Sequence, residues 1–566
     1  MGKRTTLWPE RSSPDSDRLA LMKARTPANR TKRVTSARDT VAVTGRRAPL
    51  FSQEALLCAA LAVVTLAVYW RATKFGFINY DDDFYVTNNT HVQAGVTISG
   101  IKWAFTSMMG FYHPLTWLSL MLDAQLFGLK AGWFHFTSIF LHLANTVLVF
   151  LILEKLLPRR WMNCFIAALF ALHPISVESV VWVSERKGLL SSFFLLLTVL
   201  AYLSYVHQNS RKRYAVALAC FAASLLAKPV GILLPVLLVI LDICPLRRHV
   251  LIAGQASPPT TGRDHPSQVP LARLLIEKVP FGLCCAVMVP VTVLAEQQAR
   301  AFEALGPMPL SDRLAHVVLR FFQYGGHVLL PVNLAIPYPF PRTYDGWQVA
   351  LSLLVPAALV AVLCVRKKWH ALLGLAWFYL LLLPVIGFGQ IGVHYMADRY
   401  LYLPQIGIYV ALLCPFLPHL SGKVLRVTFP AATAILISCV VLTERQLSYW
   451  RSDIALFGRA VAVTRDNYIA LNNLAWALVR DPASGRAERL RALSYAQQAC
   501  ALTGWKTTPE LHTLATAQFA VGFYTQALET LDLAIQIAMA EKDEDLLRYL
   551  SRQREAFLSR QGQQHH

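Results

Sequence analysis

The chain has 566 residues, 55% of them hydrophobic and only 15% charged, with a formal net charge of +21 and a mean hydropathy of +0.42. That apolar excess exceeds what globular cores require and excludes a disordered chain, a collagen, a disulfide scaffold and an ordinary cytosolic enzyme. The positive charge does not point to nucleic acid. Residues 1–50 hold 12 Lys/Arg against 4 Asp/Glu, and much of the remainder sits in short clusters between apolar runs, the pattern that orients helices in a membrane.

Residues 1–50 are polar, rich in Ser and Thr and without periodicity, which predicts a disordered basic leader in the cytoplasm. The first apolar run, about Glu54 to Trp70, follows Arg46-Arg47. It lies too far from the N-terminus, and lacks the small-residue cleavage site, for a signal peptide. Further runs occur at 133–155, 161–174, 188–206, 214–227, 229–244, 279–295, 347–364, 369–388, 400–417 and 424–442. With 11 spans, Arg159-Arg160, Arg211-Lys212-Arg213, Arg247-Arg248, Arg366-Lys367-Lys368 and Lys423 with Arg426 all fall on the cytoplasmic side. The segment 314–330 is apolar but contains His316, Arg320, Gln323, Gly325, Gly326 and His327. Counting it as a span would reverse Arg366-Lys367-Lys368, so it is expected to be interfacial or re-entrant on the outer face. Cys58, Cys164, Cys220, Cys284, Cys285, Cys364 and Cys439 lie inside apolar runs, with neither zinc spacing nor a disulfide framework.

The expected fold is all-α: a polytopic membrane bundle over residues 51–443, with an outer loop 71–132, then an extracytoplasmic helical-repeat domain over 444–566. That tail holds 14 Lys/Arg and 13 Asp/Glu. Its residues Leu514-Ala515, Gly522, Tyr524, Ala527, Leu531 and Ala534 match the spacing of a tetratricopeptide unit. Leu471, Leu474, Ala475, Leu478, Ala492, Ala496 and Ala499 fit an earlier unit with about five extra residues around Asp481–Arg486. Trp450–Val463 and Glu541–Phe557 read as caps. Small residues at close contacts let antiparallel helices nest, and such repeats bind peptides rather than perform chemistry.

Titratable groups collect on the outer side. Asp81-Asp82-Asp83 are three adjacent carboxylates whose repulsion raises at least one pKa, and such a group can take a proton from a hydroxyl. They are equally a solvated acidic turn, a helix cap, or a candidate divalent-cation site. Glu185-Arg186-Lys187 and Lys228 stand near outer helix ends, where cations can meet a lipid-linked phosphate or simply snorkel. His113, His135, His142 and His173 never fall at i,i+4 spacing, so no zinc site is expected, and no G-x-x-x-x-G-K-[ST] phosphate loop occurs.

Five strings then occur in order: FINYDDDFYVTNN at Phe77–Asn89, HPLTWL at His113–Leu118, HPISVESVVWVSERKGLLS at His173–Ser191, AKP at Ala227–Pro229, and MADRYLYLP at Met396–Pro404. With them the chain, over roughly residues 54–555, resembles the bacterial relatives of the transmembrane and tetratricopeptide-repeat proteins, which look like GT-C-type, protein O-mannosyltransferase-like glycosyltransferases. The resemblance implies transfer of a sugar, mannose, from a polyprenyl-phosphate carrier to protein Ser or Thr hydroxyls on the extracytoplasmic face. It implies an acidic pair after the first membrane helix, placed at Asp81-Asp82 with Asp83 as an extra carboxylate. Where protein O-mannosyltransferases carry Phe-Asp-Glu, this chain reads Tyr80-Asp81-Asp82, which leaves open which carboxylate is the base. His113, His173, Glu178, Glu185, Arg186, Lys187, Lys228, His394 and Arg399 are the expected substrate-binding set.

The expected partners are the polyprenyl-phosphate-linked donor, a protein acceptor reached through the repeat tail, and membrane lipid. The expected location is a bacterial inner membrane with site and tail in the periplasm, or the endoplasmic reticulum with a luminal site in a eukaryote. Two other functions compete: a non-catalytic membrane scaffold with a peptide-binding tail, and a transporter for lipid-linked sugars. A transporter more often carries ionisable residues mid-span, whereas the middles of these runs are nearly free of charge.

Overall fold

In hydrocarbon every backbone N–H and C=O needs an internal partner, so long apolar runs become helices. The computed structural model describes residues 52–108, 110–249, 269–298, 309–341, 343–386, 394–419 and 422–564, and the basic leader 1–50 lies outside them. Among the described residues all regular structure is helical. Seven helices are long and apolar enough to cross a bilayer: Gln53–Lys74, Ala131–Leu156, Val183–Gln208, Leu271–Ala295, Gly346–Val365, Trp369–Ile386 and Arg426–Tyr449. The chain is a multi-pass integral membrane protein.

The other four expected spans are helical but shorter, at Arg160–Leu172, Arg211–Ala227, Leu234–Ile243 and Pro404–Phe416. The 13-residue Arg160–Leu172 helix rises only about 20 Å against the ~30 Å of a hydrocarbon core. The stretch beyond its C-terminus, which carries His173, Glu178, Glu185, Arg186 and Lys187, is not an exposed loop. Every residue from Ala171 to Lys187 is buried, folded into the short helices Ser176–Val181 and Val183–Glu185. Irregular backbone is tolerated at such depth only when protein covers it.

Close helix approach brings the later helices to this core. Gly374 and Gly407 place the backbones of Trp369–Ile386 and Pro404–Leu413 in direct contact; a Cβ on Gly374 would lie 2.7 Å from Ala411 N, and one on Gly407 2.8 Å from Phe378 N. The segment expected to be interfacial is the helix Leu310–Leu329. Its Asp312 accepts from Tyr344 just before the Gly346–Val365 helix, its Arg320 donates to the terminal Ile386 carbonyl, and its His327 meets Asp398. Those three contacts all lie at one end of the bundle, so the helix runs across that end. Leu310, Leu314, Phe322 and Leu329 form its exposed apolar face.

After Tyr449 come the helices Asp453–Val463, Tyr468–Arg480, Arg486–Leu502, Thr508–Val521, Tyr524–Glu541 and Glu544–Gln564. Ala475, Ala492, Ala496, Ala499, Ala515, Ala527 and Ala534 are fully buried, as nested hairpins require. Gly522, at φ +103°, ends one helix in the left-handed region that disfavours a side chain. The first of these helices returns to the membrane part. Asn79 N donates to Asp453 Oδ1 at 2.8 Å and Asn467 Nδ2 to the Pro337 carbonyl at 2.8 Å. The tail and the Asp81 loop therefore share one side of the bundle.

Candidate functional site

The loop after the first helix is built around two carboxylates with opposite fates. Asp82 is buried; its Oδ2 accepts from Ile78 N at 2.9 Å and its Oδ1 from Ser184 N at 2.9 Å and Ser184 Oγ at 2.5 Å. Burial pushes this carboxyl up to about 6, against three hydrogen bonds that favour its ionised form. Asp82 thus ties the loop to the Trp182–Glu185 turn. Asp81 adopts φ +98°, a backbone costing a non-glycine residue on the order of 1–3 kcal/mol, and opens into a cavity of about 470 Å³. Burial raises Asp81 as well, opposed by Lys187 and Arg399 and reinforced by Asp83 and Glu185. Asp83 starts a wide turn over Asp83–Thr87 and is not part of the cavity wall.

Lining the same cavity as Asp81 are Lys187, Lys228 and Arg399, gathered by a buried Glu185. Its Oε1 accepts from Lys228 Nζ at 2.6 Å, while Lys187 Nζ and Arg399 Nε stand 3.9 and 3.8 Å from Oε2. Gly188 makes this possible, since a Cβ there would overlap Glu185 Oε1. Arg399 is held further by Glu178 at 2.6 Å and by the Trp182 and Tyr400 rings, 5.2 and 5.0 Å from its guanidinium carbon. Burial raises the Glu178 carboxyl, with Arg399 opposing. Lys187 also donates to the Ser184 carbonyl at 2.9 Å and lies over the Tyr85 ring. An ammonium has three donors, so each lysine retains capacity toward the cavity. The result is three cations held in fixed positions at the cavity.

Two imidazoles complete the polar wall. Arg399 NH2 lies 3.2 Å from His394 Nε2; arginine only donates, so Nε2 is the acceptor and the proton sits on Nδ1. Burial pushes His394 down to about 3, with Arg399, Arg320 and Lys228 adding to it. His113 is lowered well below the ordinary histidine range by burial and by Lys187 and Lys228. Its buried Nδ1 has no partner among the described residues. The lining also has an apolar part, with Ile232, Val289, Val293, Pro384 and Val385 alongside Thr292.

Four expected residues lie elsewhere. Arg186 is fully buried beneath the turn, paired with Asp123 at 2.8 Å and bonded to Ser138, Ser119 and the Phe134 carbonyl; it braces helices and does not line the cavity. His173 is buried, accepting from Ile175 N at 3.4 Å, with its ring beside Tyr409. Asp82 is the third and Asp83 the fourth. Within the acidic triplet, both Asp82 oxygens already accept hydrogen bonds from the protein. No group of three or more metal-ligating side chains occurs among the described residues. The sequence reading missed Asp123, which has no local signal. It also missed Tyr80, Trp182 and Tyr400, aromatic residues inside the quoted strings that form part of the wall.

No family model matches the chain. It is similar to Protein O-mannosyl-transferase TMTC1 of Homo sapiens, 24% identical over 471 residues that cover 72% of this chain and 51% of that protein. With Protein O-mannosyl-transferase TMTC3 of Homo sapiens it shares 25% identity over 462 residues, 73% of this chain and 48% of the relative. Protein O-mannosyl-transferase Tmtc2 of Drosophila melanogaster is 33% identical over 160 residues, 27% of this chain and 17% of the relative. The chain spans about half the length of the two human relatives. The resemblance read from the motif strings is shown by these relatives.

Proposed function

We propose that this protein is an integral-membrane glycosyltransferase that moves a sugar, mannose as in its relatives' names, from a polyprenyl-phosphate carrier to a Ser or Thr hydroxyl of a protein. The observation that carries the reading is one cavity lined together by a carboxylate, Asp81, three cations and apolar helix residues. That combination suits an amphiphilic donor: phosphate at Lys187, Lys228 and Arg399, prenyl chain along Val289, Val293 and Val385. The acceptor oxygen bonds to the anomeric carbon as the bond from that carbon to the phosphate oxygen breaks. Its electron pair stays on the phosphate, which leaves as polyprenyl phosphate beside the cations, and the hydroxyl proton passes to Asp81. The basic clusters of the sequence support an extracytoplasmic site.

A positioned general base contributes about 10²–10⁴-fold. Asp81→Asn is therefore expected to reduce single-turnover transfer from saturating polyprenyl-phosphate mannose by that factor, with donor binding retained and Asp83→Asn much milder. Intact mass of a panel of acceptor proteins is the readout. Wild-type rates in Asp81→Asn would remove it as the base. Donor crossing the bilayer with no acceptor gaining mass would make the protein a transporter.

A further inference from the structure

The turn that presents Asp81 is held from two directions, and only one of them belongs to the membrane bundle. On the inner side Asp82 anchors it to Ser184. On the outer side the anchor comes from the first helix of the tail. Asn79 N donates to Asp453 Oδ1 at 2.8 Å, and the Tyr80 ring lies between Trp182 at 5.4 Å and Phe457 at 5.8 Å. Trp182 also faces Trp450, at 6.3 Å. Asp81 comes directly after these two residues and sits at φ +98°, a backbone that persists only where its surroundings over-determine it.

We propose that the helical tail supplies a positioning residue to the transfer site: Asp453 holds the Asn79–Tyr80 segment so that Asp81 points into the cavity. This rests on the reading of Asp81 as the base. Asp453 touches neither the cavity nor a substrate; it acts through the Asn79 amide. The tail therefore shapes the reaction centre without entering it. A misplaced reacting group costs rate more than affinity, so the signature is a fall in kcat with the donor KM unchanged.

The test uses the full chain. Asp453→Ala removes the acceptor, while Asp453→Asn keeps an oxygen at the same place. In both, Ser452, which accepts from Ala455 N at 3.3 Å, still caps the helix. Asp453→Ala is expected to lower kcat about tenfold with donor KM within about twofold, and to speed hydrogen exchange at the Asn79 amide while the Tyr468–Glu541 helices keep wild-type protection. Asp453→Asn is expected to restore both readouts most of the way. Wild-type kcat in Asp453→Ala, alongside a disabled Asp81→Asn, overturns the proposal and leaves the transferase reading intact. A raised donor KM at unchanged kcat also overturns it, as does failed rescue by Asn. A wild-type protein that transfers to no acceptor removes the transferase reading, and faster Asn79 exchange alone would then mark a packing contact without a catalytic consequence.

Discussion

Arg186 offers the sharpest separation between a residue that binds substrate and one that holds the site together. Its side chain is fully buried and pairs with an Asp123 side chain 5% exposed, at 2.8 Å. Nε and NH1 donate to Ser138 and Ser119, each at 3.1 Å, and NH2 to the Phe134 carbonyl at 2.6 Å. Arg186→Gln strips the counter-charge from Asp123, leaving it the Thr137 hydroxyl at 3.0 Å. Breaking a buried pair from one side costs about 3–5 kcal/mol, a shift of roughly 10²–10⁴ in the folding equilibrium at 1.4 kcal/mol per decade. Set against a typical stability of about 5–15 kcal/mol, that loss is large. Arg186→Gln is therefore expected to lower the yield of folded protein and its apparent melting temperature, monitored in detergent by thiol-reactive dye uptake at the free cysteines. Donor affinity of the fraction that remains folded should equal wild type. Arg186→Met combined with Asp123→Leu should recover much of the loss, because no charge is left stranded. A stable Arg186→Gln protein with weakened donor binding would refute the reasoning and return Arg186 to the cavity.

Two further expectations concern the same turn. Asp82 titrates near 6 in the folded state against about 3.9 unfolded, so folding favours its protonated form. The stability this group contributes is fully present below about pH 4 and is lost as pH rises through about 6; Asp82→Asn should flatten thermal stability across that window, and an unchanged pH profile would count against the burial of this carboxyl. Gly188→Ala should lower stability, since a Cβ there displaces the buried Glu185 from Lys228, and stranding buried charges costs about 3–5 kcal/mol against the roughly 0.5–1 kcal/mol by which alanine favours a helix over glycine. Donor KM is then expected to rise about tenfold, the scale of one charge-assisted hydrogen bond; an unaltered donor KM would mean that Glu185 does not order the cations.

Much of the architecture was legible in one dimension. Hydropathy located the helices, the polar residues within 314–330 marked it as different from a span, and the alanine spacing of the tail anticipated its nested hairpins. Asp81, His113, Lys187, Lys228, His394 and Arg399, drawn from separated stretches, do line one cavity. Sequence alone could determine this much because apolar length and short motifs are local properties, and a membrane allows few ways to satisfy them. Direction within each motif was not local. Asp81 and Asp82 are neighbours, yet one opens to the cavity and the other is turned inward by Ser184, 102 residues away. Lys187 faces the cavity while Arg186, one step along the same helix, points roughly 100° away into the bundle toward Asp123. Asp453 meets Asn79 across 374 residues. Only the tertiary fold decides such pairings, because a buried charge goes where its counter-charge and hydrogen-bond partners are, and those come from distant parts of the chain.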